Sequence, residues 1–369
     1  MKEIKAIVDA YHSLDLSSTS AVLATVARVE GSSYRRTGAR MLVLEDGTYL
    51  GGISGGCLEG DALRRAQKAI VQNKPALTTY DTTQEDSHQI GVGLGCNGII
   101  DVLFTPLAVN QHKNPLELLS SLIDTREPRV IAWITDCNEP LDLLGQAVLY
   151  ETDEKFLESF PITEIAGSVL QDLKSCVSNL TPKTISYESG SARIKIFIEI
   201  ILPVTRVIVY GGNYDVYSMI RTTRELGWEV TLVTNAMKAN KTLFTLANRV
   251  LHNKGAEEPV TDYYTAVLLM SHDYQTDFDN LQKCLQGKAS YIGMLGPRKR
   301  SEKMFAALLN KGIQVPQEDL QRIFAPAGLD IGAATPEEIA LSIAAEIRCH
   351  FTGRKGMSLR LREGSIYGN

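Results

Sequence analysis

The stretch that decides the fold of the second half of the chain is Val207-Ile208-Val209-Tyr210-Gly211-Gly212-Asn213-Tyr214-Asp215-Val216. A short β-branched run ends at a pair of glycines, and apolar residues then recur at helical spacing. Similar strand-like runs follow at residues 229–234, 266–270 and 291–295, and Thr335-Pro336-Glu337-Glu338 predicts a capping box at the start of a last helix. Because strands that alternate with helices build parallel sheets, we predict a doubly wound parallel sheet in an α/β domain over residues 206–353.

The first turn of this Rossmann-like domain lacks the dinucleotide fingerprint. That fingerprint needs G-x-G-x-x-G/A after the first strand and an acidic residue about 20 positions further on. Here Asn213 replaces the second glycine, Val216 replaces the third, and the second strand ends at Thr234-Asn235 without an acid. Asp215 also places a negative charge where a phosphate would otherwise lie. The turn therefore disfavours NAD(P), although it is compatible with a Rossmann topology.

Strand-like runs also dominate residues 1–202, where turn residues separate them. We predict strands near residues 21–27, 41–44, 99–104, 130–134, 146–150 and 194–201, and a helix over 61–71. Many strands with few long helices indicate an N-terminal α+β domain around a largely antiparallel or mixed sheet. Leu202-Pro203-Val204-Thr205 is the predicted linker to the Rossmann-like domain, and residues 354–369 are a basic and then polar tail.

The composition is that of an ordinary soluble protein, with a net charge of -5 over 369 residues. This mildly acidic balance argues against a general nucleic-acid binder. No apolar run reaches the length of a membrane span and no secretory signal is recognised, so we expect a cytoplasmic location and reduced thiols. None of the six cysteines lies in a C-x-x-C pair, which excludes zinc-ribbon and thioredoxin-type sites.

Two glycine-rich turns in the N-terminal domain are the strongest candidates for a binding site. Gly31-Ser32-Ser33-Tyr34-Arg35-Arg36-Thr37-Gly38-Ala39-Arg40 carries three arginines, and Gly51-Gly52-Ile53-Ser54-Gly55-Gly56-Cys57-Leu58-Glu59 carries a cysteine. Arginines and glycine-loop amides bind phosphate or carboxylate, and a thiol in an electropositive setting is a soft metal ligand or a nucleophile. The pair favours a small anionic ligand beside a reactive thiol; the alternative is two hairpin turns with an inert cysteine. Glu59 is expected to cap the helix that follows.

Three other groups of residues are weaker candidates. Cys96 lies in a second glycine-dense stretch, residues 91–98. Ser271-His272-Asp273 follows a predicted strand, so His272 could bind a phosphate or transfer a proton. Asp273 or Asp277 could bind a metal or orient the His272 ring. Arg298-Lys299-Arg300 follows the next strand and suits a phosphate in the same crevice. Ordinary turn chemistry and a solvated run of charges are the respective alternatives.

These stretches resemble the XdhC/CoxI family, the accessory proteins of xanthine dehydrogenase and related molybdenum hydroxylases. The resemblance rests on the two glycine-rich turns and recurs at residues 91–98, 291–300 and 328–340. The chain departs from the family at residues 211–216, where the family usually has Gly-Ala-Gly-His-Val-Ala.

The resemblance implies a protein that binds and protects the molybdenum cofactor, a molybdopterin, and delivers it to an apo-enzyme. The expected partners are a xanthine dehydrogenase or related molybdenum hydroxylase and a cysteine desulfurase, and the chain is expected to be a homodimer. Cys57 is the candidate metal ligand, and the candidate cofactor-binding residues are Ser32, Ser33, Arg35, Arg36, Arg40, Ser54, Gly55, Gly56, Cys57, Cys96, Gly211, Gly212, His272 and Arg298. Alternative hypotheses are an NAD(P)-dependent oxidoreductase, a component of xanthine dehydrogenase itself, and a structural partner whose Rossmann-like domain supports dimerisation only.

Overall fold

The computed structural model describes residues 1–15, 18–83, 98–107, 114–138 and 143–364. The chain divides into two compact units, Met1–Pro203 and Val204–Asn369. Among the described residues, no helix is both long enough and apolar enough to cross a membrane.

The first unit consists of antiparallel strands with helices. Its described strands are β1 (Ala21–Gly31), β2 (Arg40–Leu44), β3 (Tyr49–Gly51), β4 (Ala76–Asp81), β5 (Gly98–Leu107), β6 (Arg129–Cys137), β7 (Ala147–Tyr150), β8 (Lys183–Ser189) and β9 (Ala192–Ile201). Its described helices are α1 (Lys2–His12), α2 (Glu59–Gln72), α3 (Pro115–Ser120), α4 (Asp153–Ser159) and α5 (Thr163–Asn179).

These strands form two sheets, ordered β3-β2-β1-β5-β4 and β7-β6-β9-β8, in which all pairs are antiparallel. The antiparallel pairing agrees with the sequence analysis, but the single sheet expected there is replaced by two. The reason is that alternate residues of the central strands are apolar on both faces. In β1, Leu23 packs on one side of the sheet and Val22 on the other, and in β6, Trp133 and Ala132 divide in the same way.

The two sheets therefore bury both of their faces. One cluster lies between them, is closed by α1 and α3, and contains Leu23, Leu42, Trp133 and Phe197. The outer face of the first sheet is covered by α2, and the outer face of the second by α4 and α5. The arginine-rich turn joins β1 to β2, and its last residue, Arg40, lies beside residues of the second sheet.

The second unit is a doubly wound parallel sheet. Its strands are β10 (Arg206–Tyr210), β11 (Glu229–Thr234), β12 (Arg249–His252), β13 (Thr265–Leu269), β14 (Tyr291–Met294) and β15 (Ile323–Phe324). Its helices are α6 (Tyr214–Glu225), α7 (Lys241–Leu246), α8 (Tyr274–Gln286), α9 (Arg298–Asn310), α10 (Gln317–Gln321) and α11 (Pro336–Thr352), followed by a 3₁₀ turn at Leu359–Leu361.

All strand pairs of this sheet are parallel, and their order is β12-β11-β10-β13-β14-β15. Helices α6 and α11 cover one face, and α8 and α9 cover the other. The predicted doubly wound sheet is thus confirmed, as is the capping box at Thr335, where the side chains of Thr335 and Glu338 bond each other's backbone. Successive strands are added on one side of β10 up to β12 and on the other side from β13 onward, so the strand order reverses at β10. The carboxyl ends of the strands at such a switch point are where these folds bind ligands.

Candidate functional site

Arg40 is not available to a ligand, contrary to the sequence-based prediction. Its side chain is only 1% exposed and forms a bidentate ion pair with Glu199 of β9, at 2.9 and 2.6 Å. The indole of Trp133 donates to the same carboxylate at 2.8 Å, and the guanidinium lies 5.7 Å from the indole ring centroid. Since Arg40 begins β2 and Glu199 lies in the second sheet, Arg40 joins the two sheets instead of binding a phosphate.

Arg35 also has a carboxylate partner within the first unit. Its guanidinium donates to Glu3 of α1, and the other oxygen of Glu3 accepts the backbone N–H of Arg40 at 3.0 Å. Glu3 therefore ties both ends of the arginine-rich turn to α1. Arg36 is half-buried, and its ligand-binding role stays a prediction. Ser32 is exposed, whereas Ser33 is buried.

The cysteine turn, residues 54–58, is closed by hydrogen bonds to the side chains of Ser54 and Glu59. The Ser54 hydroxyl accepts the backbone N–H groups of Cys57 and Leu58, both at 3.0 Å. The carboxylate of Glu59 accepts the backbone N–H of Ser54 at 2.9 Å and the Ser54 hydroxyl. Gly56 has a φ of +107°, a conformation that favours glycine. Glu59 is the first residue of α2, not the residue before it, and its carboxylate mainly closes the turn through Ser54.

This network corrects the expectation that the turn's amides cradle a phosphate. The Glu59 carboxylate already occupies that position, because the N–H groups of Ser54 and Gly56 both point to it. Burial raises the pKa of Glu59, but hydrogen bonds from Ser54, from its own backbone N–H and from Gly56 outweigh burial, and the pKa is lowered overall. The turn therefore carries its own anion, and Ser54 has a structural role.

The arginine-rich turn and the cysteine turn meet at Tyr34 and Gly55. A Cβ atom on Gly55 would lie 3.1 Å from Cγ of Tyr34. The Tyr34 ring therefore packs on Gly55 more closely than a residue with a side chain would comfortably allow. Tyr34 is 68% exposed, Gly55 and Gly56 are exposed, and Cys57 is a half-buried free thiol. We call this surface, formed by Tyr34, Gly55, Gly56 and Cys57, the Tyr34–Cys57 surface. Cys96 lies outside the described residues.

In the second unit, the two glycines after β10 permit close approach of neighbouring strands. A Cβ atom on Gly211 would lie 2.5 Å from the carbonyl oxygen of Met270, and one on Gly212 would lie 2.4 Å from Oγ1 of Thr234. Both glycines are thus required by packing at the carboxyl edge of the sheet. A crevice of about 290 Å³ opens at this edge.

His272 lies at the same edge and is oriented by Asp215, a residue whose charge the sequence pattern marks only as unfavourable to phosphate. His272 Nε2 is 2.7 Å from Oδ2 of Asp215, and the backbone of His272 has a φ of +60°. Asp273 has the capping role given above as the alternative, because its carboxylate accepts the Thr276 N–H at 2.8 Å at the start of α8. His272 is thus oriented by Asp215 of the turn after β10, and not by Asp273.

The cationic run after β14 divides between a buried ion pair and the surface. Arg300 donates to the buried carboxylate of Asp277 at 2.7 Å, and Ser271 also donates to that carboxylate. Burial raises the pKa of Asp277 and outweighs the bonds from Ser271 and Arg300, which lower it. Arg298 is exposed at the start of α9. Asp277 therefore orients Ser271 and Arg300 instead of His272.

The described residues assemble no cluster of side chains suited to a permanently bound metal ion. Within the described ranges, no group of three or more His, Cys, Asp or Glu side chains could hold a metal ion. Burial raises the pKa of Cys284 to about 12 and also raises that of Cys176, so these buried thiols do not form nucleophilic thiolates. Cys57 remains the predicted soft ligand, supplied singly and at an accessible turn.

Comparison with known proteins covers nearly the whole chain. The model of the XdhC and CoxI family matches residues 16–81, and that of the XdhC Rossmann domain matches residues 207–347. A relative from Bacillus subtilis (strain 168), named as a probable xanthine dehydrogenase subunit, is 28% identical over 89% of this chain and 92% of its own length. The molybdenum cofactor insertion chaperone PaoD of Escherichia coli (strain K12) is 23% identical over 90% of this chain and 84% of its own length.

A solved structure has a similar fold over nearly the whole chain. The crystal structure of a xanthine dehydrogenase from Bacillus halodurans matches with a TM-score of 0.73 and 26% identity, covering 96% of this chain and 97% of that one. The two family models together span more than half of the chain, and they fall on separate units. The chain belongs to the XdhC/CoxI family.

Proposed function

We propose that this protein is an accessory chaperone that binds and protects the molybdenum cofactor and delivers it to a xanthine dehydrogenase or a related molybdenum hydroxylase. The observation that carries the proposal is the similarity, along nine-tenths of the chain, to a relative named as a molybdenum cofactor insertion chaperone. We further propose that it acts in the cytoplasm as a homodimer and that a cysteine desulfurase is a second partner.

The Tyr34–Cys57 surface is the proposed cofactor site. The cargo offers an anionic phosphate, a flat pterin and a soft metal centre, and these need a cation, an aromatic or backbone surface and a soft ligand. Arg36, the exposed Tyr34 ring and the Cys57 thiol supply one of each on two turns that are in contact. Arg35, Arg40, Ser54 and Glu59 act by holding these turns in place.

The donor set suits a cargo better than a resident metal. A permanently bound metal is normally held by three or four side chains, which the described residues do not assemble. A cofactor that carries its metal on its own dithiolene needs at most one further ligand from the protein. A single half-buried thiol can shield the metal and still be exchanged for the binding site of the client enzyme.

A second candidate function is a stoichiometric component of the dehydrogenase, and the names of two relatives favour it. The two functions make different demands on stoichiometry. A chaperone activates successive molecules of apo-enzyme and leaves, whereas a stoichiometric component stays in the active complex.

The test is activation of a purified apo-hydroxylase by limiting amounts of cofactor-loaded protein in the presence of free cofactor. We expect one molecule of the protein to activate several molecules of enzyme, and the active enzyme to elute without it in gel filtration. Activation that stops at one enzyme per chain, with the protein remaining in the complex, would support the stoichiometric component instead. No activation at all would refute both functions.

A further inference from the structure

We propose that the crevice of the second unit binds a phosphorylated ribonucleoside of mononucleotide size. This goes beyond the proposed chaperone function and does not depend on it. The crevice lies at the carboxyl end of β10, where the strand order of the sheet reverses. Its wall is formed by residues that follow four different strands. Gly211 and Gly212 follow β10, Asn235 follows β11, Asn253 follows β12 and Ser271 follows β13. Convergence of several strand ends on one cavity is the usual form of a ligand site in this fold.

The side chains that line the crevice favour an anionic ligand. Lys238 contributes an ammonium group, and among the described residues it has no carboxylate partner. Asp273 is the one carboxylate among the described lining residues; it keeps its negative charge, but its oxygen is engaged at the start of α8, where it accepts the Thr276 N–H at 2.8 Å and the Thr276 hydroxyl at 2.6 Å. Asn253 and Asn280 add side-chain amides, which can both donate and accept. A lysine without a carboxylate partner at one side of the crevice, with neutral amides beside it, suits a phosphate attached to a polar, uncharged body.

The position of Lys238 points to a phosphate on a ribose. In nucleotide-binding sheets of this order, the ribose lies beyond the second strand, where an acid binds its hydroxyls and a cation binds a ribose phosphate. Here the second strand, β11, ends at Thr234, and Asn235 and Lys238 follow it without an acidic residue. The amide of Asn235 is fixed, because its oxygen accepts the Met237 N–H at 3.2 Å. A phosphate on the ribose is therefore the group that this end of the crevice can recognise.

Two contacts limit the ligand to a mononucleotide. A dinucleotide must cross from the β11 side to the β13 side over the turn that follows β10. There, the Asn213 amide donates to the carbonyl oxygen of Ser271 at 3.3 Å, and His272 Nε2 lies 2.7 Å from Asp215. These contacts join the loop after β10 to the loop after β13 across that path. The cavity volume of about 290 Å³ also lies just below the roughly 300–1,000 Å³ range of ligand pockets.

The test is calorimetric titration of the purified, nucleotide-free full chain, without molybdenum cofactor. The probes are AMP, CMP, GMP and UMP, their nucleosides, 2′-AMP, ribose 5-phosphate, inorganic phosphate and NADPH. We expect at least one mononucleotide to bind with a micromolar Kd, at least tenfold more tightly than its nucleoside. Lys238→Ala should weaken that binding about tenfold or more, because a charge-assisted contact is lost. Lys254→Ala is the matched control, since Lys254 is an exposed lysine next to Asn253 that does not line the crevice.

The proposal is overturned by any of four results with nucleosides, nucleotides and the lysine variants, and by a fifth with inorganic phosphate. The first four are millimolar or weaker binding of every mononucleotide, equal affinity for nucleoside and nucleotide, binding that Lys238→Ala and Lys254→Ala reduce equally, and tighter binding of NADPH than of any mononucleotide. Inorganic phosphate binding as tightly as the mononucleotides would also contradict it, because it would show a phosphate site without nucleoside recognition. None of these results bears on delivery of the molybdenum cofactor, which is measured separately.

Discussion

The buried pair between Arg40 and Glu199 should stabilise the first unit strongly, and replacing one partner should cost more than replacing both. In Arg40→Met, the Glu199 carboxylate keeps the Trp133 indole as a donor but loses both guanidinium bonds at 2.9 and 2.6 Å. A buried charge left without its partner costs about 3–5 kcal/mol. In Arg40→Met/Glu199→Met, the charge is gone and the unpaired Trp133 N–H costs about 1–3 kcal/mol. The double variant should therefore be more stable than the single one by about 2 kcal/mol.

The assay is urea unfolding followed by Trp133 fluorescence in a Trp228→Phe background. The chain has two tryptophans, and Trp228 lies in the second unit, so the remaining signal reports the first unit. Reporting one unit avoids treating a two-unit chain as a single transition. A loss below about 1 kcal/mol in Arg40→Met, or a double variant less stable than the single one, would refute the structural role. The prediction that Arg40 binds a ligand would then have to be considered again.

Three other expectations concern the same turns and the buried thiols. Arg36→Ala should weaken cofactor retention about tenfold or more with little change in unfolding free energy, as measured by pterin analysis beside urea unfolding; a large stability loss would assign Arg36 to the fold. Cys284→Ala should cost about 1–2 kcal/mol in the second unit and leave cofactor retention unchanged, because the thiol is buried on α8. Since the folded-state pKa of Glu59 is lowered, its stabilisation is present above its unfolded-state pKa and is lost as pH falls through the folded value. Unfolding free energy between about pH 5 and 3 should thus fall more steeply in the wild type than in Glu59→Gln, and parallel curves would contradict this assignment.

The second unit is the more predictable half of the fold. Its strands are β-branched runs that end at turn residues, and β11 begins and ends where the sequence pattern places it. The strands that the pattern does not predict, such as β12 and β15, are the two edge strands of the sheet, and most of their residues are only partly buried or exposed. They therefore lack the continuous apolar run that marks the fully buried β14. In the first unit, the pattern locates β1 and β6 but cannot assign them to different sheets. Strands that are apolar on both faces look alike whether they share a sheet or face each other across a core.

The candidate site is predictable as two adjoining turns but not as a set of available side chains. Glycines mark both turns, arginines mark the first and a cysteine the second. The contact between Tyr34 and Gly55 brings the two turns together. The partners that occupy the arginines are distant in sequence: Glu3 lies 32 residues from Arg35, and Glu199 lies 159 residues from Arg40. No local pattern reveals such pairs, because each is created by the packing of separate elements.

Glu59 and Asp215 show the same limit for carboxylates. The sequence pattern favours Glu59 as a helix cap, but its carboxylate turns back to the N–H of Ser54 and fills the anion position of the turn. The same kind of pattern marks Asp215 as a charge that repels phosphate, but Asp215 holds His272, 57 residues away. A residue type and its position in a motif indicate what a side chain can do, and the long-range contacts decide what it does.

Cys57 and the Tyr34–Cys57 surface are proposed to carry the molybdenum cofactor. The most direct measurement is molybdenum and pterin content per chain after anaerobic purification from cells that co-produce the cofactor pathway, for wild type, Cys57→Ser and the control Cys137→Ser, which changes another half-buried free thiol. We expect the wild type and Cys137→Ser to retain equal amounts of molybdenum and pterin, and Cys57→Ser to lose most of its molybdenum while unfolding at the same urea concentration. Equal retention by Cys57→Ser would contradict the thiol assignment, and a wild-type protein that retains neither pterin nor molybdenum would contradict the carrier function.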